Sequence, residues 1–294
     1  GPLDTGGPTC HKNATVPMRP PGRIVRLFLL SVGLWLHVSC RDAAPADRRE
    51  LVSVRLSTGS PTGNFRPFAQ ALVQAYAETL PDVHIALIDT PGSVQNLEER
   101  EEGTVDLGLA QAGIADMAYN GRLPDRTVPL RNLRGIAVLN SSFVQVLVAD
   151  RSQIASIGEL RGRRIGTGAL GSGSAVAAEV LFGGLFKAGE VQQLDLTAVQ
   201  SSERLIAGQL DAVFFLSGIP TSGVHRATQA GARILPIRGT AIDRLRANYP
   251  FLRSDIIPGG MYPGHPAPIH TLSVDVVLLA RAGLDEALVR RLTS

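Results

Sequence analysis

The chain is predicted to be an α/β protein of two similar units facing one cleft, on two observations. An apolar strand that runs into a polar, glycine-bearing loop opening a helix occurs twice. Each copy is then followed by a strand, a helix and one signature: glycine, two residues, aspartate and an apolar strand. In the first copy LVSVRL (51–56) leads into Ser57-Thr58-Gly59-Ser-Pro-Thr-Gly63, and Asp106 lies 47 residues beyond Gly59. In the second, Gly166-Thr167-Gly168-Ala-Leu-Gly171-Ser172-Gly173-Ser174 follows a short apolar strand, and Asp211 lies 43 residues beyond Gly168. Open parallel sheets place ligands at the carboxyl ends of their strands, so two such units imply a cleft between the two loops.

Taken in order, residues 1–17 carry no periodicity and are expected to be a tag or leader. Arg19, Arg23 and Arg26 precede an uncharged apolar run at 27–36, the pattern of a targeting signal. The run covers only half of the ~20 residues that span a bilayer, which favours a signal peptide over an anchor. Residues 1–40 are therefore assigned to leader and signal peptide and 41–50 to a polar linker, with export to the periplasm. Leu36-His37-Val-Ser-Cys40 resembles a bacterial lipoprotein processing site, in which Cys40 would carry the lipid; His37 departs from it, and the alternatives are simple signal cleavage near the same place and, with the signal retained, a Cys10–Cys40 disulfide.

The first unit begins at 51. Its first helix carries an apolar stripe at Phe68, Leu72 and Tyr76, spaced by four residues and so on one face. Residues 83–89 are expected as a buried strand with His84 a satisfied core histidine. Thr90-Pro-Gly92-Ser93 forms a turn and cap, and the helix at 94–102 stops at Gly103. The strand at 105–110 delivers Gln111. Runs at 133–139 and 143–148, separated by Asn140-Ser-Ser142, are expected as two strands passing from the first unit to the second. A short helix at 157–162 precedes the second glycine loop, and a strand at 212–216 leads into Ser217-Gly-Ile-Pro-Thr221 and a helix around 225–229. After a strand at 232–237, proline and glycine from 241 onward predict an extended return, then a strand at 272–280 and an amphipathic segment at 284–292. The pattern stops within that segment, so a final helix is expected to be missing. The lobes are accordingly 51–140 and 141–245, with 246–294 returning to the first.

Composition removes several functions. With 44% hydrophobic and 19% charged residues the chain has an ordinary globular balance. The net charge of +3 arises in the first fifty residues, where seven basic residues meet four acidic ones, and beyond them 22 balance 22. Nucleic-acid binding thus has no electrostatic footprint. The two lysines, Lys12 and Lys187, do not follow glycine, which excludes a P-loop. No cysteine lies beyond Cys40, so the body has no disulfide and no thiol nucleophile. No GxSxG elbow occurs, and His265 and His270 lie in a proline-rich loop without clustered carboxylates. No metal or cofactor is expected.

Over nearly all of 51–294 the chain resembles the TAXI solute receptors, the extracytoplasmic binding proteins of one class of TRAP transporters. The segments that carry the resemblance are STGSPTG (57–63), TPGSVQNL (90–97), DLGLAQA (106–112), LRGIAVL (133–139), IGELRGRRIGTGALGSGS (157–174), LDAVFFLSGIPT (210–221), ILPI (234–237), YPF (249–251) and IPGGMYPG (257–264). The resemblance implies a two-lobed, type II-like periplasmic-binding-protein fold. It also implies a monomer that captures a small carboxylate or amino-acid-like solute, of the glutamate, glutamine or oxo-dicarboxylate class, for TRAP transporter membrane subunits. Three departures touch the site: Phe65-Arg66-Pro67-Phe68 replaces the usual tyrosine pair, Phe143-Val-Gln145 lacks a common histidine, and Ser174 replaces threonine.

The candidate ligand contacts follow from the loops. Ser57, Thr58, Gly59 and Gly63, and Thr167, Gly168, Ser172, Gly173 and Ser174, offer backbone N–H groups and hydroxyls at helix starts, which favour an anion. Gly92 and Ser93 sit at another helix start, Gln111 offers donor and acceptor at a strand end, Ser217 and Thr221 frame a loop, and Tyr262 could close over the cleft. Arg66 is expected as a solvated helix residue, and Asp106 and Asp211 as a matched structural pair. Two alternatives stand beside the receptor: a dinucleotide enzyme using 166–171 as GxGxxG, and a receptor serving a signalling partner.

Overall fold

The computed structural model describes residues 51–61, 63 and 65–294. The expected leader, signal peptide, linker and Cys40 lie outside the described residues. Strand β1 (Val52–Ser57) is followed by α1 (Phe65–Thr79), β2 (Val83–Ile88), α2 (Ser93–Glu101), β3 (Leu107–Gln111) and α3 (Ala112–Tyr119). The long β4 (Arg134–Val148) leads to β5 (Arg164–Gly168), α4 (Gly173–Leu185), β6 (Gln192–Asp195), α5 (Ala198–Ile206), β7 (Ala212–Ser217), α6 (Ser222–Gln229), β8 (Arg233–Leu235) and α7 (Thr240–Asn248). Then come β9 (Arg253–Ile257), β10 (Ile269–Ala280) and α8 (Glu286–Thr293).

The duplication seen in the sequence is one of topology. β1 runs parallel to both β2 and β3, and β5 runs parallel to both β6 and β7. Each unit thus has its first strand in the middle, with the helical crossovers that parallel pairing demands. The sheet order is β2-β1-β3-β10-β4-β7-β5-β6. The antiparallel pair β10 and β4 joins the two units, β10 pairing with β3 and β4 with β7. This is a mixed α/β fold of two lobes, of the type II-like kind.

The apolar residues account for this packing. Every residue of β3 and of β7 is buried, as expected of strands covered on both faces. The stripe Phe68, Leu72 and Tyr76 of α1 packs with Val54, Leu56, Leu107 and Leu109, and Leu288 and Leu292 of α8 join the same core. On the other side Leu181 and Phe182 of α4 pack with Ile165, Phe214, Ile242 and Leu245. Each such aliphatic or aromatic side chain contributes about 1.5–3 kcal/mol on burial.

Four expectations are corrected. The strands expected at 133–139 and 143–148 are the single strand β4, because Asn140, Ser141 and Ser142 pair in register with Val276, Asp275 and Val274 of β10 and are held in the sheet despite their polarity. The return expected to be extended from 241 contains α7, whose Ile242 and Leu245 bury in the core; the helix stops before Pro250, which pushes Tyr249 out of helical geometry. His84 is exposed rather than in the core, because β2 is an edge strand with its side chains alternating in burial. Helix α3 has no counterpart among the expected elements, and its Ile114, Met117 and Ala118 bury at spacings of three and four.

Candidate ligand-binding cleft

The carboxyl ends of β1, β3, β5 and β7 all open on a cleft of about 460 Å³, inside the range of ~300–1,000 Å³ usual for small-molecule sites. Gly59 and Gly63 line it from the loop after β1, Gln111 from the end of β3, Gly168 from β5 and Ser217 from the end of β7. Gly92, Ser93, Ser172, Gly173, Ser174 and Thr221 line it from helix starts. Eleven of the fifteen expected contacts therefore converge on one space, although they are spread from 59 to 221 in the chain.

The glycines let the two lobes meet at this point. A Cβ on Gly173 would lie 2.0 Å from Gln111 Oε1 and 2.9 Å from Ser93 Oγ, so the start of α4 rests directly on groups of the opposite lobe. Gly92 has a φ of 145°, and a Cβ there would be 3.3 Å from Ser172 Cα. The starts of α2 and α4 thus face one another at van der Waals distance.

Hydrogen bonds fix the wall. Ser93 Oγ donates to Gln111 Oε1 in a short bond and accepts the Gln111 N–H at 3.1 Å. Ser172 Oγ caps α4 by accepting the Ala175 N–H at 3.2 Å. Ser174 Oγ clamps α4 to the end of β7, accepting the Leu216 N–H at 3.3 Å and donating to the Leu216 carbonyl at 3.4 Å. Ser217 Oγ accepts from Gln145 Nε2 at 2.9 Å, which orients it from below.

Four expected contacts stand behind this wall. Ser57 is fully buried and donates to the Leu107 carbonyl, and Thr58 is fully buried and donates to the Ile88 carbonyl. Thr167 donates to the Leu194 carbonyl and lines a separate groove beside Gln193 and Asp195. Tyr262 does not close over the cleft: it is buried in a core with Val213, Phe215 and Ile257, and its hydroxyl accepts the Thr221 N–H at 3.1 Å. Burial pushes its phenol up to about 12, against the hydrogen bonds from Thr221 and Gln145. All four support the loops that carry contacts rather than reaching the cleft.

Asn96 lies in the segment TPGSVQNL but was not among the expected contacts. Buried on α2, its Nδ2 donates to the Leu109 carbonyl at 2.6 Å and, in a short bond, to the Thr58 carbonyl, while Oδ1 accepts from Thr90 Oγ1 at 2.5 Å. One carboxamide thereby ties two cleft loops to β3. Among the described lining residues two are charged, Asp89 and Arg226. Arg66, expected to be solvated, instead forms an ion pair with Asp89.

The electrostatics of the cleft come mainly from the backbone. The starts of α1, α2, α4, α5 and α6 all line it, and none of these helices has an acidic residue in its first turn. Five positive helix ends without local neutralisation favour an anion. The glycines of the GxGxxG-like segment have other roles than approach to a pyrophosphate. Gly166 lies within β5, where a Cβ would be 2.6 Å from Ser201 Oγ, and Gly168, at a φ of 118°, has no room for a side chain, since a Cβ there would be 2.8 Å from Ser172 Oγ and 2.9 Å from the Ala175 nitrogen.

Comparison with known proteins places this geometry in a wider group. Residues 56–294 match the NMT1-like family. Among solved structures, the substrate-binding protein of an amino acid ABC transporter aligns at a TM-score of 0.51 and 14% identity, over 82% of this chain and 90% of that one. The GluR0 ligand-binding core from Nostoc punctiforme, in complex with L-glutamate, aligns at 0.51 and 14%, over 82% and 89%. The periplasmic binding protein BugD aligns at 0.55 and 11%, over 82% and 79%. At these identities the likeness is one of fold.

Proposed function

The chain belongs to the NMT1-like family, and on that premise we propose that it is an extracytoplasmic solute-binding receptor. It captures a small carboxylate or amino-acid-like solute between its lobes and presents it to a membrane transporter of the TRAP type. The observation that carries this reading is the convergence of five helix starts, none with a first-turn acid, on one cleft of about 460 Å³. Oriented N–H groups, with hydroxyls beside them, replace the water shell of an anion there, and closure buries it. The solutes bound by the amino acid receptor and by the glutamate complex, both similar in fold, support the choice of class.

The finer assignments belong to the same proposal. The first lobe comprises 51–140 with the return at 246–294, and the second comprises 141–245; the packing of α8 against β1 and β3 supports this at the end of the return, whereas Ile257 and Tyr262 earlier in it pack with Val213 and Phe215 of the second lobe. The targeting signal at 18–40 supports export to the periplasm, and the TAXI-like segments support the TRAP partner. Binding rather than catalysis is the activity.

A thermal-shift screen of the protein against carboxylates, amino acids, sugars and nicotinamide cofactors tests the reading. A ligand at 100 times its Kd adds about 2.7 kcal/mol, which moves Tm by a few degrees. A shift with carboxylates or amino acids is expected. A shift with nicotinamide cofactors alone overturns the receptor in favour of the dinucleotide enzyme.

A further inference from the structure

Two charged side chains line the cleft among the described residues, and they are not in the same state. Asp89 is ion-paired with Arg66. Arg226, exposed on α6, has no carboxylate within ion-pair distance among the described residues. The charge of Asp89 is balanced by Arg66, so the cleft has no unbalanced negative charge to face an ammonium, while Arg226 adds a full positive charge to a cleft whose helix ends are already positive. Each guanidinium presents a planar fork of donors matched to a carboxylate, which makes an unpaired one in a cleft a recognition group.

From this we propose that Arg226 is the specificity-determining cation of the cleft, taking a second acidic group of the ligand. The solute is accordingly a dicarboxylic acid without an ammonium group rather than a zwitterionic amino acid. One carboxylate is held by the helix starts that line the cleft, and the other by the guanidinium of Arg226. A zwitterion is disfavoured twice, since its ammonium meets positive helix ends and finds no countercharge, whereas a monocarboxylate leaves Arg226 unpaired. This inference rests on the receptor reading above and narrows its class.

The test is calorimetric titration of the full chain with 2-oxoglutarate, 2-oxopentanoate and L-glutamate, probes that differ from the first by one group each. The expected result is 2-oxoglutarate binding at least 10-fold tighter than either of the others. Arg226→Gln should remove that advantage over 2-oxopentanoate, and Arg226→Lys should restore part of it; circular dichroism confirms that both variants fold. If L-glutamate or 2-oxopentanoate binds as tightly as 2-oxoglutarate, the assignment of Arg226 is overturned while the carboxylate receptor stands. If none of the three binds, the carboxylate reading itself falls, and the inference with it.

Discussion

Asp211 and Arg164 hold each other by a reciprocal pair of bonds at the base of the second lobe. The Asp211 N–H donates to the Arg164 carbonyl at 3.0 Å, and its Oδ2 accepts the Arg164 N–H at 2.8 Å and its Nε at 3.1 Å. The first lobe repeats the arrangement. The Asp106 N–H donates to the Arg55 carbonyl at 3.0 Å, and its Oδ2 accepts the Arg55 N–H at 2.9 Å. Each aspartate thus locks the third strand of its unit against the first, at the end remote from the cleft.

These two carboxylates make stability depend on pH. Burial pushes both up, but the Arg55 and Arg281 donors at Asp106, and the Arg164 donors at Asp211, hold both below the usual carboxylate range. A carboxylate depressed in the folded state contributes stability above its unfolded pKa of about 3.9, and that contribution is lost as pH falls through the lower folded value. Urea unfolding between about pH 5 and about pH 2, around the unfolded carboxylate value, should therefore show a steeper loss of stability in the wild type than in the Asp106→Asn, Asp211→Asn double variant. Equal slopes would mean that the pairs carry no linkage.

Removing a partner differs between the lobes. Asp106 also accepts from Arg281 Nε at 3.0 Å and its side chain is 11% exposed, against 27% for Asp211. The guanidinium partners are a third to a half exposed and stay solvated, so Asp106→Ala is expected to cost about 1.5–3 kcal/mol through its lost hydrogen bonds to charged and backbone donors, and Asp211→Ala less, because its single arginine partner is screened by solvent. Chemical denaturation midpoints at constant m value check the order.

Asn96→Leu is expected to destabilise the protein by about 2–3 kcal/mol, because it leaves the Thr58 and Leu109 carbonyls without their donor inside the core. Ligand affinity should fall with stability, since the loops after β1 and β2 lose their common tie. A variant of wild-type stability would show that water takes the carboxamide's place.

Gly173→Ala puts a methyl group 2.0 Å from Gln111 Oε1. Over-packing of this size costs about 1–3 kcal/mol. Because the contact is made between the lobes, the cost should appear in closure, as a Kd weakened about 10-fold or more with little change in the Tm of the unliganded protein. A large drop in that Tm with unchanged affinity would place the strain inside one lobe instead.

Gly113→Ala tests the packing of α3. A Cβ there would lie 2.3 Å from the ring of Phe251. The substitution should destabilise by about 1–3 kcal/mol, and Phe251→Leu should relieve part of that cost in the double variant. Additive losses would show that the two residues are not in contact.

Much of this protein was legible along the chain. The repeated loops and the matched Asp106 and Asp211 announced two equivalent units, because a recurring strand, loop and helix leaves its glycines and aspartates at a recurring spacing. Eleven of the thirty described cleft residues were legible for the same reason: they sit where strands end and helices begin, positions that small polar residues and glycine mark. Other features depended on distant neighbours. Asn140, Ser141 and Ser142 looked like a break and became strand only because β10 lies alongside. Ser57, Thr58, Thr167 and Tyr262 have side chains suited to a ligand, yet the way the strands and cores pack turned them toward backbone carbonyls and amides behind the wall. The pairing of Arg66 with Asp89, which leaves Arg226 as the uncommitted charge, joins residues 23 positions apart. Local pattern determined which segments could form strands, helices and loops, since propensity and periodicity act over a few residues. Which polar groups face the cleft was decided by tertiary packing, since burial and charge pairing act across the whole fold.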